Sequence, residues 1–415
     1  MGNSRIYLCL AHMSGNEMKY IQEAFDTNWV VPLGPNVNAF EDDLKAFVGG
    51  EREVVALCSG TAAVHLALID LGVQAGDEVV CQSFTFCASS HPVTYLGATP
   101  VFVDSEPDSW NMDPALLEQA IEGRIAATGR KPKAIVMVYL YGMPAKIREI
   151  LAVADKYGIP VVEDAAEALG SEYVDRVCGT FGNYGVLSFN GNKMITTSGG
   201  GALVCRDAEA KSRVMFYATQ ARESYPYYQH EQIGYNYRLS NVCAGIGRGQ
   251  MTVLREHIAH HRRIAALYAE AFAGVEGIDF HDNWGAECNS NFWLSTVTLA
   301  PGLRVEGEEA AYAVAVKGAV GGAAGVVHQA SSVHTQCEPN RNVEAMRLAL
   351  DKANIESRPL WKPMHLQPVY RNAPAYVNGT AEGLFRRGLC LPSGPCVSDD
   401  DVRYIVDCML ANVKH

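Results

Sequence analysis

Lys193 stands among glycines and hydroxyls, in the run from Gly185 through Ser188 and Thr196 to Gly201, rather than on a charged helical face. An amine so placed can add to an aldehyde and form a Schiff base. Asp164 follows the apolar residues Ile159 to Val162, which sets its carboxylate at a strand end. There it can pair with a pyridinium nitrogen, or simply cap the turn at Ala165 and Ala166. Glu167, three residues on, is expected on the same helical face. The run Cys58, Ser59, Gly60, Thr61, Ala62 and Ala63 offers an anion cradle. Its glycine permits a tight turn, a helix beginning at Thr61 aims free amides at the anion, and Ser188 can add a hydroxyl. The run before Lys193 lacks Gly-x-x-x-x-Gly-Lys-[Ser/Thr], which excludes a nucleoside triphosphate P-loop. An amine, an acidic partner and an anion cradle are together what a pyridoxal phosphate site requires.

Such groups need a scaffold that delivers strand ends and helix starts to one place. Short apolar runs at Glu78 to Cys81, Thr99 to Asp104, Ala134 to Tyr139, Pro160 to Asp164, Gly185 to Phe189 and Ala202 to Cys205 read as strands. Runs that are apolar throughout suit a sheet covered on both faces. Between them, Thr61 to Leu71 and Ala145 to Tyr157 carry apolar residues at helical spacing. The fold class is therefore α/β with a mostly parallel central sheet, whose ligands gather outside the carboxyl ends of the strands. A long helical stretch from about Ser240 through Phe272 links this large domain, residues 1–255, to a smaller C-terminal α/β domain, residues 256–415.

The 415 residues exceed the roughly 250–300 at which one core stops growing, which favours that division. A formal charge of -12 speaks against a nucleic-acid partner, since it leaves no clustered excess of Lys and Arg. The 12 cysteines form no Cys-x-x-Cys pair, so neither a zinc site nor a disulfide framework is expected. Met1 to Ile6 contains no apolar leader segment, which points to a cytoplasmic protein with reduced thiols. An Ala/Gly/Val run between Ala310 and Val327 is too short and too glycine-rich to span a membrane.

Several ordered stretches resemble the DegT/DnrJ/EryC1/StrS family of sugar aminotransferases over nearly the whole chain. They are Ser59 to Ala63, Ser83 to Phe86, Tyr139 to Gly142, Glu163 to Ala166, Ser188 to Lys193, Gly234 to Ser240, Arg358 to His365, and Leu391 with Pro392. The resemblance implies an aspartate aminotransferase-like fold of the type I pyridoxal phosphate enzymes. It makes Lys193 the residue bonded to the cofactor aldehyde, Asp164 the pyridinium partner and Phe86 the aromatic stacked on the ring. Thr61, Ala62 and Ser188 would hold the phosphate, and Asn236 would reach the phosphate of a neighbouring subunit, making the active unit a homodimer with shared sites. Trp29 and His365 would contact the nucleotide sugar, or else serve packing.

Position 167 is commonly Gln or His in the family; here it is Glu167, which reaches the cofactor's 3-hydroxyl or the sugar, or is merely solvated. With the phrase Ser188 to Gly199, Thr219 to Glu223 and Arg358 to Gln367, it is similar to the PglE-like branch. That branch aminates C4 of a UDP-linked 4-keto-6-deoxy N-acetyl sugar, on the route to bacillosamine-type glycans. The implied reaction is a ping-pong transamination with L-glutamate as donor and 2-oxoglutarate as its product. In it Lys193 is both covalent anchor and proton carrier. Rival implications are amination at C3, a dTDP sugar, or a non-enzymatic pyridoxal phosphate-binding regulator. A dehydratase of the family would carry histidine in place of Lys193. The largest departure from the pattern is the extra Ala, Gly and Val between about residues 302 and 335, expected as a surface excursion.

Overall fold

A computed structural model of the protein describes residues 4–313 and 337–414. Its centre is an eight-stranded sheet. In chain order the strands are β1 (Glu53–Leu57), β2 (Glu78–Gln82), β3 (Thr99–Val103), β4 (Ala134–Val138), β5 (Val161–Asp164), β6 (Tyr184–Ser188), β7 (Gly201–Cys205) and β8 (Ala375–Tyr376). Their order across the sheet is β1, β7, β6, β5, β4, β2, β3, β8. All neighbours run parallel except at one edge, where β7 is antiparallel to both β6 and β1. The six expected strands are present, and β1 and β8 extend the sheet at its two edges.

Alternation along each strand sends side chains to opposite faces, and both faces are covered. Val161 and Ile135 join one buried cluster with Phe40, Phe84 and Tyr139, while Val162 and Val136 join another with Leu66, Leu68 and Phe102. A second sheet, of Ile278–Phe280, Ser295–Leu299, Gly388–Leu391 and Arg358–Pro359, is entirely antiparallel. A third apolar cluster packs it against the helices Leu254–Phe272, Arg341–Lys352 and Asp399–Ala411.

The long helix expected through Phe272 is two helices, Asn241–Met251 and Leu254–Phe272. The first has no room for side chains on one face. A Cβ at Gly249 would lie 2.7 Å from the Glu17 amide nitrogen, and one at Gly247 would lie 2.7 Å from the Phe40 ring. That close packing against the helices Glu17–Asp26 and Pro35–Phe47 fixes its axis. The chain then turns at Thr252, whose hydroxyl donates to the Gly249 carbonyl at 2.6 Å, and at the β-branched Val253.

Of the departure expected at 302–335, the first part pairs Arg304–Val305 with Val413–Lys414 and then forms a short helical turn, Glu308–Ala313. Residues 314–335 of that segment lie outside the described residues. Among the described residues no helix is long and apolar enough to cross a membrane.

Candidate active site

The register of the sheet assembles the site. Ser188 pairs with Gly201, and Gly201 pairs with Leu57, so the turn after β1 lies two strands away from the end of β6. Ser59 begins the helix Gly60–Asp70, its Oγ accepting from the Ala62 amide at 3.0 Å. The amides of Gly60 and Thr61, first in the helix, have no intrahelical carbonyl to meet and carry the positive end of its dipole. A Cβ at position 60 would come 3.2 Å from the Ser188 Cβ, so glycine keeps this cradle open. The Ala62 amide, by contrast, is already committed to Ser59, so it is not free for an anion.

A cavity of about 350 Å³ opens from this cradle along the carboxyl ends of β5 and β6. Thr61, Phe86, Asp164, Glu167, Ser188 and Lys193 all line it. Phe86 is 53% exposed, an apolar ring left bare over the opening, with Trp361 tilted beside it at 5.3 Å between ring centres. Asp164 is only 5% exposed. Its carboxylate accepts from the Ser89 hydroxyl at 2.6 Å and the Ala166 amide at 3.2 Å, and Ser89 is held in turn by Thr85 at 2.7 Å. Burial pushes the Asp164 carboxyl up, while Ser89, the Ala166 amide and the charge of Lys193 pull it down.

The expected helix carrying Asp164 and Glu167 is not formed. Asp164 turns its own side chain onto the Ala166 amide, the Ala168 amide bonds back to the Ala165 carbonyl, and Gly170 ends the segment at φ +83°. Two successive turns still send both carboxylates into the cavity. Glu167 accepts from the Tyr141 amide at 2.6 Å. Tyr141 offers that amide from φ +55°, a left-handed conformation uncommon for a side-chain-bearing residue. Burial raises the Glu167 carboxyl to about 7, opposed chiefly by the charge of Lys193 and the Tyr141 amide.

Lys193 sits on the loop between β6 and β7, closed by the Phe189 amide on the Gly200 carbonyl and the Thr197 amide on the Phe189 carbonyl. Its Nζ lies 3.4 Å from Glu167 Oε1 and 3.7 Å from the ring centre of Trp293. The Trp293 indole donates to the Asn192 carbonyl at 2.6 Å, which clamps the same loop. Trp361 falls in the family-resembling stretch Arg358 to His365, but neither it nor Trp293 carries a sequence signal for this role, and only the fold brings them to the cavity.

Trp29 and His365 do not line this cavity, and neither does Asn236, which was expected at a neighbouring subunit's site. Asn236 is exposed and does not line its own chain's cavity. Trp29 is 38% exposed, and its carbonyl accepts from Asn241 at 3.0 Å. The His365 ring is paired with the Ser83 hydroxyl at 2.6 Å and is not among the residues that line the cavity.

Asn291, which the sequence does not flag, joins the two sides of the site. Fully buried, it donates to the carbonyls of Glu167 at 2.9 Å and Leu169 at 3.0 Å and accepts from the Trp293 amide at 2.9 Å. Its Oδ1 occupies the space over Gly142, where a Cβ would come within 2.0 Å. Asn291→Ala leaves two buried carbonyls and one amide without partners. Stability in chemical denaturation should fall by about 2–4 kcal/mol; a loss under about 0.5 kcal/mol would remove this join from the account.

The groups present fit pyridoxal phosphate. The cradle beside Gly60 suits its phosphate, Phe86 its ring face, Asp164 its ring nitrogen and Lys193 its aldehyde. A model of the DegT/DnrJ/EryC1/StrS aminotransferase family matches residues 12–304 and 306–410. The chain belongs to this family. It is 45% identical over 412 residues to EpsN of Bacillus subtilis (strain 168), described as a pyridoxal phosphate-dependent aminotransferase, covering 98% of this chain and 96% of EpsN. GDP-perosamine synthase of Escherichia coli O157:H7 is 32% identical over 395 residues, covering 95% of each. The crystal structure of a DegT DnrJ EryC1 StrS aminotransferase from Brucella abortus superposes with a TM-score of 0.81 at 27% identity, covering 96% of this chain and 95% of that one. The family member described here is a pyridoxal phosphate-dependent sugar aminotransferase of α/β fold.

Proposed function

We propose that this aminotransferase moves the amino group of L-glutamate to C4 of a UDP-linked 2-acetamido-2,6-dideoxy-4-keto-hexose, for bacillosamine-type or related surface glycans. The observation that carries the transamination is the placement of Lys193 Nζ inside the cavity, facing Glu167 and on the same wall as Asp164. When bound, pyridoxal phosphate supplies an electron sink for the carbanion formed at the donor Cα. Lys193 anchors the cofactor covalently and afterwards, as a free amine, carries the proton between the donor Cα and the cofactor's C4′. Asp164 keeps the ring nitrogen protonated, and the Gly60 and Thr61 amides with Ser188 hold the phosphate. Phe86 covers one ring face and, with Trp361, sheds water from it.

The C4 and UDP assignments are supported by Glu167 and by the phrase Ser188 to Gly199, both similar to the PglE-like branch. The likeness to GDP-perosamine synthase favours a second reading, a GDP-linked keto sugar, at the same site. Asn236, exposed and outside its own cavity, supports a homodimer in which each chain completes the other's phosphate site. The formal charge of -12 supports a small-molecule rather than a nucleic-acid partner, and a cytoplasmic location fits a soluble nucleotide-sugar substrate.

Incubating the pyridoxamine form with UDP-, GDP- and dTDP-linked 4-keto-6-deoxy sugars, and locating the new amine by NMR, tests both readings. Amination of the UDP sugar at C4 is expected. An amine at C3, or a preference for another nucleotide, overturns the specific assignment and leaves the transamination standing.

A further inference from the structure

The Lys193 amine meets two unlike groups at once. Its Nζ rests on the face of the Trp293 indole, 3.7 Å from the ring centre, with Glu167 Oε1 at 3.4 Å on another side. A buried ammonium deprived of water is costly unless something replaces its solvation. An indole face and a carboxylate are the groups in contact with it, with the Asp164 carboxylate acting on it from farther away across the cavity, and an aromatic face serves best when water is excluded.

Trp293 is held by more than its own packing. Asn291 Oδ1 accepts from its amide at 2.9 Å, its indole nitrogen donates to the Asn192 carbonyl at 2.6 Å, and the His261 ring donates to the preceding Phe292 carbonyl at 3.2 Å. Phe292 itself sits at φ +49°, a conformation that only surrounding contacts can maintain. The same Asn291 amide bonds the Glu167 carbonyl at 2.9 Å, so one buried side chain sets the spacing between the indole and the carboxylate.

We propose that Trp293 and Glu167 form a cradle for the Lys193 ammonium during the part of the cycle in which that amine is not bonded to the cofactor, with Asn291 and His261 as positioning residues. The proposal rests on the reading of Lys193 as the Schiff-base lysine. When the donor amine displaces Lys193, the bond between the cofactor carbon and Nζ breaks as that carbon bonds the donor nitrogen. The protons leaving the donor nitrogen pass to Nζ. The free amine takes the Cα proton and becomes an ammonium, then returns that proton to the cofactor carbon. Water releases the keto acid, its oxygen replacing the nitrogen that stays on the cofactor carbon, and the proton the donor brought as an ammonium passes to Nζ, so the lysine remains in the cradle as the ammonium.

The cradle therefore favours the aminated form of the holoenzyme over the lysine-bonded form. The ratio of L-glutamate to 2-oxoglutarate that half-converts the visible band measures this balance. Trp293→Leu should raise that ratio about tenfold, the size of a desolvated cation–aromatic contact, and Glu167→Gln should raise it at least about threefold. Trp293→Phe keeps an aromatic face in a similar volume, so it should show a smaller shift of the same sign and carries the test if the leucine variant does not fold. A purely structural role would lower cofactor retention or melting temperature and leave the ratio in place. Ratios within twofold of the unaltered enzyme in these variants overturn the cradle. If L-glutamate converts neither the enzyme nor its variants, the donor assignment fails, and displacement by hydroxylamine decides the cradle without any donor. The visible band should then be lost more slowly in Trp293→Leu and Trp293→Phe, and an unchanged rate overturns it. Persistence of the band in Lys193→Ala overturns the Schiff-base reading and the cradle with it.

Discussion

Lys193→Ala should abolish the visible absorbance of the bound cofactor and lower turnover on the order of 10⁴-fold, the upper range for loss of a positioned proton carrier. Lys193 is the one amine lining the cavity among the described residues. On the proposed reading alanine thus removes the covalent anchor and the proton carrier together, and among the described residues no other lysine lines the cavity to take over either task. The loop should survive the change. It is closed by backbone bonds of Phe189 and Thr197, and by the Trp293 indole on the Asn192 carbonyl, none of which uses the lysine side chain. Glu167, buried beside Nζ at 3.4 Å, loses its counter-charge in the change, so the melting temperature should fall by a few degrees while the protein stays folded. Absorbance spectra of the purified protein and a single-turnover assay check the two parts. A variant with full turnover would sink the assignment, and one that is colourless yet unfolded would be revealed by its lost thermal transition.

The parts of the site carried by the large sheet were legible because continuous apolar runs such as Val161 to Val162 and Val186 to Leu187 announce buried strands, and the polar residues that follow must emerge at their ends. Asp164, Ser188 and Lys193 belong to this class. Glu167 reached the cavity for a different reason from the one its spacing suggested. A helix was expected, but the short side chain of Asp164 competes for the Ala166 amide and Gly170 ends the segment early. Val54 to Leu57 is as apolar as its neighbours, yet nothing in the run reveals that β1 lies antiparallel to β7. That direction is what brings Ser59 and Gly60 to Ser188.

Trp293 and Asn291 were illegible for a reason of distance along the chain. Trp293 meets a lysine 100 positions earlier, and Asn291 meets a backbone carbonyl at Glu167, 124 positions earlier. Backbone carbonyls leave no mark on the sequence of the residue that bonds them. Asn236 poses the opposite case: a motif assigned it a place at the phosphate, while the single chain leaves it exposed. A motif can name a residue for a site that its own chain does not complete.

Asp164→Asn should lower the rate of the amino-donor half-reaction by roughly 10³-fold with the cofactor still bound, because losing one partner of a buried ion pair costs about 3–5 kcal/mol. The substitution is nearly isosteric. The Ser89 hydroxyl can donate or accept and is already shared with Thr85 at 2.7 Å, so it can meet either end of an amide, and the turn at Ala166 needs only one acceptor. What changes is charge. An amide cannot hold a proton on the ring nitrogen, and a neutral ring draws electrons from the donor Cα far less strongly. Lys193, Phe86 and the helix amides beside Gly60 are untouched, so the absorbance of the Schiff base should persist, and KM for the donor should change little while kcat falls. That split separates a ring-nitrogen partner from a residue that only caps the turn at Ala166. A cap would register in thermal stability, with both kinetic constants near those of the unaltered enzyme. Stopped-flow absorbance of the half-reaction distinguishes them, and a decrease smaller than about tenfold would return Asp164 to the role of a cap.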